Sequence, residues 1–289
     1  MKLVLSPREL SEAIGVSESS VKRWVDRGVI VASRTAGGHR RISIDEAIRF
    51  IRATRRELPR PELLGLALHP GAAGDSWDDA FAEALECGDA PLARSLIWSM
   101  HLQGMSAAAI CDGPIRAGME RIASDWRRRE DAVFREHRAT DVCVQALSQL
   151  RAVTPTGDAG PLAVGGAPAG DPYLLPSMMV AAVLESVGFQ TCNLGPNTPD
   201  QAFMRSADVT GTRPVLVWLS LTATDLSRAE VEGARRVAGT LASEGITVVV
   251  GGRAGQLLDP LPDSVIRASS MSGLLDRLAA DAPVSVGAG

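Results

Sequence analysis

Apolar and polar positions follow two different rhythms along the chain. Before residue 154, apolar residues recur every three or four positions, as in Leu10, Ala13 and Ile14, and this spacing is typical of amphipathic helices. After residue 161, short β-branched runs such as residues 214–220 and 246–250 alternate with helical segments. This alternation predicts a parallel sheet with helices on both faces. The fold class is therefore multidomain, α followed by α/β.

Linker-like stretches divide this pattern into domains. Residues 59–75 hold three prolines and a Gly-Ala-Ala-Gly run, and a second proline- and glycine-containing stretch precedes residue 162. We therefore predict three domains with a linker at residues 59–75. They are a winged helix-turn-helix over residues 1–58, a four-helix bundle over residues 76–153 and a Rossmann-like parallel sheet over residues 162–289.

The first domain has the cap and turn signals of a helix-turn-helix. Ser6 is a suitable N-cap before Pro7 and Glu9, since this arrangement satisfies free backbone N–H groups. Gly15 provides a turn, and Ser17 can cap a second helix. A Gly-Gly hairpin turn and a third helix follow. The predicted buried face of the second helix comprises Val21, Trp24 and Val25.

Charge is distributed unevenly between this domain and the rest of the chain. Residues 1–60 carry 13 Lys and Arg against 7 Asp and Glu, whereas residues 61–289 carry 17 against 27. A basic head of this kind predicts phosphate contacts, with the second helix in a major groove and the wing along the backbone, although a solvated charged face is the alternative. The candidate DNA-binding residues are Lys22, Arg23, Arg27, Arg34, His39, Arg40 and Arg41.

The order of these elements resembles a known DNA-binding family. A helix-turn-helix followed by the segment 34–41, RTAGGHRR, is similar to the winged helix-turn-helix of the MerR superfamily and its shorter excisionase-like relatives. The resemblance covers residues 1–56. It implies binding to a double-stranded DNA operator as a homodimer or homotetramer.

The bundle contains a tryptophan followed, after nine residues, by a Glu-His pair: Trp126, Glu136 and His137. This spacing resembles the helical bundle of light-responsive MerR-type repressors of the CarH and LitR kind. The resemblance implies that Trp126 caps the upper axial group of adenosylcobalamin and that Glu136 and His137 line the same pocket. From the residues alone, a core tryptophan with a surface Glu-His pair is the alternative.

The last domain resembles the cobalamin-binding fold in two of its three signature segments. Ser220-Leu-Thr222 and Gly251-Gly252 match, and the resemblance implies that all four named residues contact the cofactor. A hydroxyl such as that of Ser220 can bond a buried nucleotide tail, and glycines allow the backbone to approach it.

The third signature segment departs from the family at the cobalt ligand. Tyr173 stands where the family has a histidine, Pro176 replaces a glycine, and no histidine follows His137 in the chain. A phenol is a poor cobalt ligand because its pKa is about 10. The open cofactor alternatives are cobalamin without histidine ligation, haem or a bilin, or no ligand in a cleft closed by Tyr173 and its neighbours.

These features predict a transcriptional repressor that resembles a photoreceptor. Its bundle and Rossmann-like domains would form a sensor that controls oligomerisation. The alternatives are a cobalamin-dependent enzyme module and a ligand-independent oligomeric DNA-binding protein. We expect no enzyme, because no Ser/His/Asp or paired-carboxylate motif is present, although Glu136 and His137 could serve as acid and base. No metal site is expected, since the four cysteines are far apart. The lack of long apolar runs predicts a cytoplasmic protein without a membrane segment.

Overall fold

The structure divides the chain into two compact units, Met1–Pro155 and Thr156–Gly289. In the described residues, no helix is long and apolar enough to cross a membrane. The computed structural model describes residues 3–66, 76–124, 130–154, 160–206 and 210–281.

The N-terminal unit begins with a winged helix-turn-helix. Its helices are α1 (Pro7–Ala13), α2 (Glu18–Asp26) and α3 (Ile44–Thr54). Its strands are β1 (Val4–Leu5), β2 (Ser33–Arg34) and β3 (Arg40–Ser43), which form an antiparallel sheet in the order β1-β3-β2.

Serine caps fix where the three helices start. The Ser6 hydroxyl accepts the Glu9 N–H while the Glu9 carboxylate accepts the Ser6 N–H at 2.8 Å, so the predicted capping box is confirmed. The side chains of Ser17 and Ser43 cap α2 and α3. These local bonds set the start of α2, the helix that carries Lys22 and Arg23 and ends just before Arg27.

The predicted buried face of α2 is wrong in part. Val21 is fully buried, but Trp24 and Val25 are only half-buried. The Trp24 ring lies 5.2 Å from the Phe50 ring centroid, and the Arg56 guanidinium lies 4.3 Å above the indole. Trp24 therefore lies at the edge of the core. The guanidinium of Arg56, which follows α3, covers the Trp24 ring in a cation–π contact.

The rest of the unit is a helical bundle. Its helices are α4 (Trp77–Cys87), α5 (Ala90–Leu102), α6 (Ala107–Ile110), α7 (Arg116–Ser124) and α8 (Ala132–Val153). A π-helical segment that contains Pro114 joins α6 to α7, so these two form one rod. A Cβ on Gly118 would lie 2.8 Å from Leu85, which shows how closely α7 packs on α4. The predicted four-helix bundle is confirmed.

The C-terminal unit is a five-stranded parallel sheet with helices on both faces, as predicted. The strands are β4 (Leu162–Gly166), β5 (Gln190–Asn193), β6 (Leu216–Ser220), β7 (Thr247–Gly251) and β8 (Ile266–Ala268), in the order β5-β4-β6-β7-β8. The helices are α9 (Leu175–Ser186), α10 (Asp200–Met204), α11 (Arg228–Ser243) and α12 (Met271–Asp281).

Side-chain alternation along the strands creates two cores. Val217 and Leu219 of β6 pack in a cluster with Val237 of α11, while Trp218 packs in a cluster on the opposite face with Leu184 of α9. The chain leaves β4 towards β5 on one side and returns to β6 on the other, so the strand order reverses between β4 and β6. In parallel sheets ligands bind at the carboxyl ends of the strands at such a reversal. We call this region, residues 167–173 and 221–223, the ligand edge.

Candidate functional site

The second helix and the residue that follows it present exposed cations. Arg23 and Arg27 are exposed, and neither has an ion-pair partner among the described residues. Lys22 differs, since its ammonium lies 2.8 Å from a carboxylate oxygen of Glu18 one turn earlier. Because α2 follows a tight turn in a helix-turn-helix, this face is the one that such folds place in the major groove.

The wing carries the remaining four candidate residues in different states. Arg34 and His39 are exposed at the hairpin, whereas Arg40 and Arg41 are half-buried. The hairpin closes through a bond from the Thr35 N–H to the His39 carbonyl at 3.0 Å. Two nitrogens of Arg40 donate to Asp26 and one nitrogen of Arg41 donates to the Arg40 carbonyl, so these two guanidiniums are less free than the sequence suggested.

The tryptophan of the bundle's Trp/Glu/His combination, Trp126, lies outside the described residues. A turn at residues 130–131 precedes α8, and Glu136 and His137 lie in the second turn of that helix, half-buried and exposed respectively. Phe134, on the same helix face as His137, is 65% exposed. The start of α8 thus offers a carboxylate, an imidazole and an aromatic ring that the core does not use.

A buried carboxylate organises the ligand edge of the sheet unit. Asp171 is 0% exposed, and its Oδ2 accepts the backbone N–H groups of Thr222 at 2.5 Å and Ala223 at 3.0 Å. Its Oδ1 accepts the Tyr173 N–H at 3.0 Å, and its carbonyl accepts the Asn197 N–H at 2.7 Å. One side chain therefore ties the loop after β4 to the loop after β6.

Tyr173 lies at the surface of the ligand edge, and closure of the cleft by this residue and its neighbours stays an open alternative. The Tyr173 side chain is 42% exposed, and only its backbone N–H participates in the Asp171 cluster. Since no histidine follows His137 in the sequence, this loop offers a cobalt ion no imidazole. The edge therefore does not fit a corrinoid ligated by a histidine of this unit.

The signature glycines have internal packing roles. A Cβ on Gly252 would lie 2.1 Å from the Leu221 carbonyl oxygen, and a Cβ on Gly251 would lie 2.9 Å from the Ala268 carbonyl oxygen. Gly252 also has a positive φ of 96°, which disfavours other residues. Close packing of the strand ends is enough to require both glycines, so the ligand approach expected from the sequence is not needed to explain them.

The two signature hydroxyl residues also lie within the fold. Ser220 is 4% exposed at the end of β6, and Thr222 is half-buried with its N–H bound to Asp171. The structure places Thr222 at the ligand edge, where its N–H and that of Tyr173 both bind Asp171. Ser220 lies earlier in the chain, as the last residue of β6.

The sequence reasoning missed a tryptophan that fills the sheet unit next to these residues. Trp218 is 1% exposed, and its indole N–H donates to the Ser177 hydroxyl at 3.0 Å, which in turn donates to Asn193 at 2.8 Å. A Cβ on Gly165 would lie 2.1 Å from the indole. The usable signals were a glycine inside a β-strand and a serine in the apolar first half of a helix.

Comparison with protein families identifies two parts of the chain. Residues 4–55 match the family described as a helix-turn-helix domain, and residues 77–151 match the family described as a B12 binding domain. No curated protein matches the chain significantly. The chain joins a DNA-binding domain to a cobalamin-binding-like domain.

The chain is also similar to solved structures. The monomethylamine corrinoid protein of Methanosarcina barkeri is 16% identical, with a TM-score of 0.55 over 71% of this chain and 98% of that one. A cobalamin-binding protein from Desulfitobacterium hafniense is 17% identical over 71% of this chain and 98% of that one, with a TM-score of 0.35. The first similarity establishes the fold of a helical bundle followed by a Rossmann-like sheet.

Proposed function

We propose that the protein is a MerR-type transcriptional regulator, a repressor whose C-terminal parts sense a tetrapyrrole-type ligand. The observation that carries the proposal is the exposed pair Arg23 and Arg27 on a capped helix-turn-helix that the same chain joins to a B12-type domain. Unpaired guanidiniums on a recognition helix supply both phosphate contacts and bidentate contacts to guanine.

The ligand we propose is a cobalamin held without a histidine from the sheet unit. The family match over residues 77–151 supports it, and the start of α8 supplies residues suited to a large flat ligand. Glu136 and His137, with Trp126, are the residues that would hold it, and Phe134 adds an exposed ring on the same helix face as His137. When bound, the cobalamin would supply a cobalt-bound upper group that light or a reaction can remove. Haem and a bilin are the alternative tetrapyrrole ligands.

Regulation requires that the ligand favour one assembly of the chain over another. A ligand with equal affinity for both states shifts nothing, so the sensor must bind one oligomeric state more tightly. Homodimers or homotetramers would then differ in the spacing of their DNA-binding heads. We propose a homo-oligomer that binds operator in one ligand state and releases it in the other.

The test uses the purified full-length chain. Samples are incubated in the dark with adenosylcobalamin, haemin or buffer, freed of unbound ligand, and examined by visible absorption and by selection of DNA from a random-sequence pool. We expect a retained corrin spectrum and an enriched duplex. A colourless chain that enriches a duplex would support the ligand-independent DNA-binding alternative, and failure to enrich any duplex would refute the regulator.

A corrinoid-carrying enzyme module is the second candidate. The observation that favours it is the fold similarity to a protein named as a corrinoid protein. Against it stand the missing histidine and a basic head that a carrier does not need. We propose that the chain has no catalytic activity of its own. Retention of a corrin without any DNA selectivity would favour the carrier.

A further inference from the structure

An acidic residue lies in the middle of the cationic surface of the head. Asp26, the last residue of α2, accepts bonds from Nε and Nη2 of Arg40 at 3.2 and 2.6 Å on one carboxylate oxygen. The same oxygen lies 3.9 Å from Nη2 of Arg34. Arg34 and Arg40 are directly opposite each other in the two strands of the wing. One carboxylate thus joins the end of α2 to both wing strands.

The position of Asp26 is unfavourable for simple DNA attraction. A negative charge beside a phosphate backbone weakens binding, by about two-fold for a charge roughly 8 Å away in water. The side chain is also half exposed, so burial does not explain it. Two arginines opposite each other in a hairpin repel, however, and a shared carboxylate removes that repulsion while fixing both strands.

We propose that Asp26 is a positioning residue that holds the wing at a fixed angle to the recognition helix and thereby sets DNA sequence selectivity. This inference rests on the proposed DNA-binding function. We call the ion pair of Asp26 with Arg40 the lock. The Arg40 guanidinium therefore fixes the wing and does not contact phosphate. Arg23 and Arg27 remain the contacts that the lock aligns.

The same helix provides a matched control. Glu18 is comparable in side-chain exposure, at 41% against 49% for Asp26, and is also ion-paired. Its partner is Lys22 on α2 itself, so the pair does not link the helix to the wing. Glu18→Gln and Asp26→Asn each remove one negative charge from α2, and only the second breaks the lock.

The experiment measures selectivity as a ratio of affinities. The full-length chain and both variants are titrated with the duplex that the wild type enriches from a random-sequence pool, and with a scrambled duplex of equal composition. We expect Glu18→Gln to bind both duplexes slightly more tightly with an unchanged ratio. Asp26→Asn should bind the scrambled duplex as tightly as Glu18→Gln does, while its ratio falls about ten-fold, which corresponds to one mismatched contact. Equal ratios for the two variants would overturn the proposal.

Two further variants keep the test decisive if Asp26→Asn lowers stability. Arg40→Lys keeps the charge but loses the two-nitrogen contact, and we expect the same loss of selectivity. Arg40→Gln should leave the slope of log K against log salt unchanged. A fall in that slope of about 0.9 would mean that Arg40 contacts a phosphate, and the proposal would be wrong. If the wild type enriches no duplex, the DNA-binding function fails, and this inference fails with it.

Discussion

The recognition surface of the head and the ligand edge of the sheet unit carry equally recognisable motifs but use their polar groups differently. In the head, Arg23 and Arg27 point into solvent with no ion-pair partner in the described part of the chain. At the ligand edge, the Asp171 carboxylate is buried and accepts the N–H groups of three residues of its own unit. The first surface is open to a partner, and the second is largely satisfied within the fold.

The difference teaches that a motif specifies residue types and not whether their polar atoms are free. The signature glycines at the end of β7 are required by neighbouring backbone atoms, as the close approach of Leu221 to Gly252 shows. The loop that should carry a cobalt ligand is instead held by Asp171. Binding capacity is therefore better judged from hydrogen-bond partners than from the motif alone.

The largest expected effect comes from breaking the clamp at the ligand edge. Asp171→Ala leaves buried N–H groups without an acceptor, and we expect the free energy of unfolding of the C-terminal unit to fall by about 3 kcal/mol. Asp200→Ala is the matched control, because Asp200 forms a more exposed ion pair with Arg236 at 3.0 Å. That change should cost less than about 1 kcal/mol. Equal losses in urea denaturation would show that the Asp171 clamp is not special.

A buried histidine of the N-terminal unit makes stability depend on pH. His101 is buried in α5, where burial and then the nearby Arg52 lower its pKa to about 4. The folded state favours the neutral ring, whereas the unfolded state, with an ordinary histidine pKa of about 6.5, takes up a proton more readily. The free energy of unfolding is therefore highest above a pH of about 6.5. It falls by on the order of 3 kcal/mol as the pH drops from about 6.5 towards 4.

Denaturation midpoints measured across this pH range check the claim. His101→Gln should flatten the pH dependence between about pH 6.5 and 4.5. An unaltered profile for the His101 variant would contradict the burial argument.

The smallest expected change concerns the head's own cations. Arg23→Ala should weaken binding to the enriched duplex by about 1–3 kcal/mol if the residue reads a base. Lys22→Ala should have a smaller effect, because the Lys22 ammonium is already paired with Glu18 at 2.8 Å. Fluorescence anisotropy at moderate salt measures both. An unchanged affinity for the Arg23 variant would place the DNA contact elsewhere.

The features that the sequence predicted are local ones. Ser6 and Ser17 cap their helices as predicted, because a cap depends on residues only three positions away. The alternation of strands and helices was equally readable, since hydrophobic periodicity reports each element separately.

The features that the sequence did not predict join distant residues. Asp171 binds the Thr222 N–H across 51 positions, and Trp218 reaches Ser177 across 41. The Asp26–Arg40 bond spans 14 positions and depends on how the wing folds back on α2. Such contacts follow from tertiary packing, and no periodicity encodes them.

The central claim is that the sensor parts control the DNA-binding head. Its most direct test is the affinity of the full-length chain for its enriched duplex, measured in the dark with and without adenosylcobalamin, while the corrin spectrum confirms occupancy. We expect the bound ligand to change that affinity by about 5- to 150-fold. An identical affinity with the ligand demonstrably bound would contradict the account.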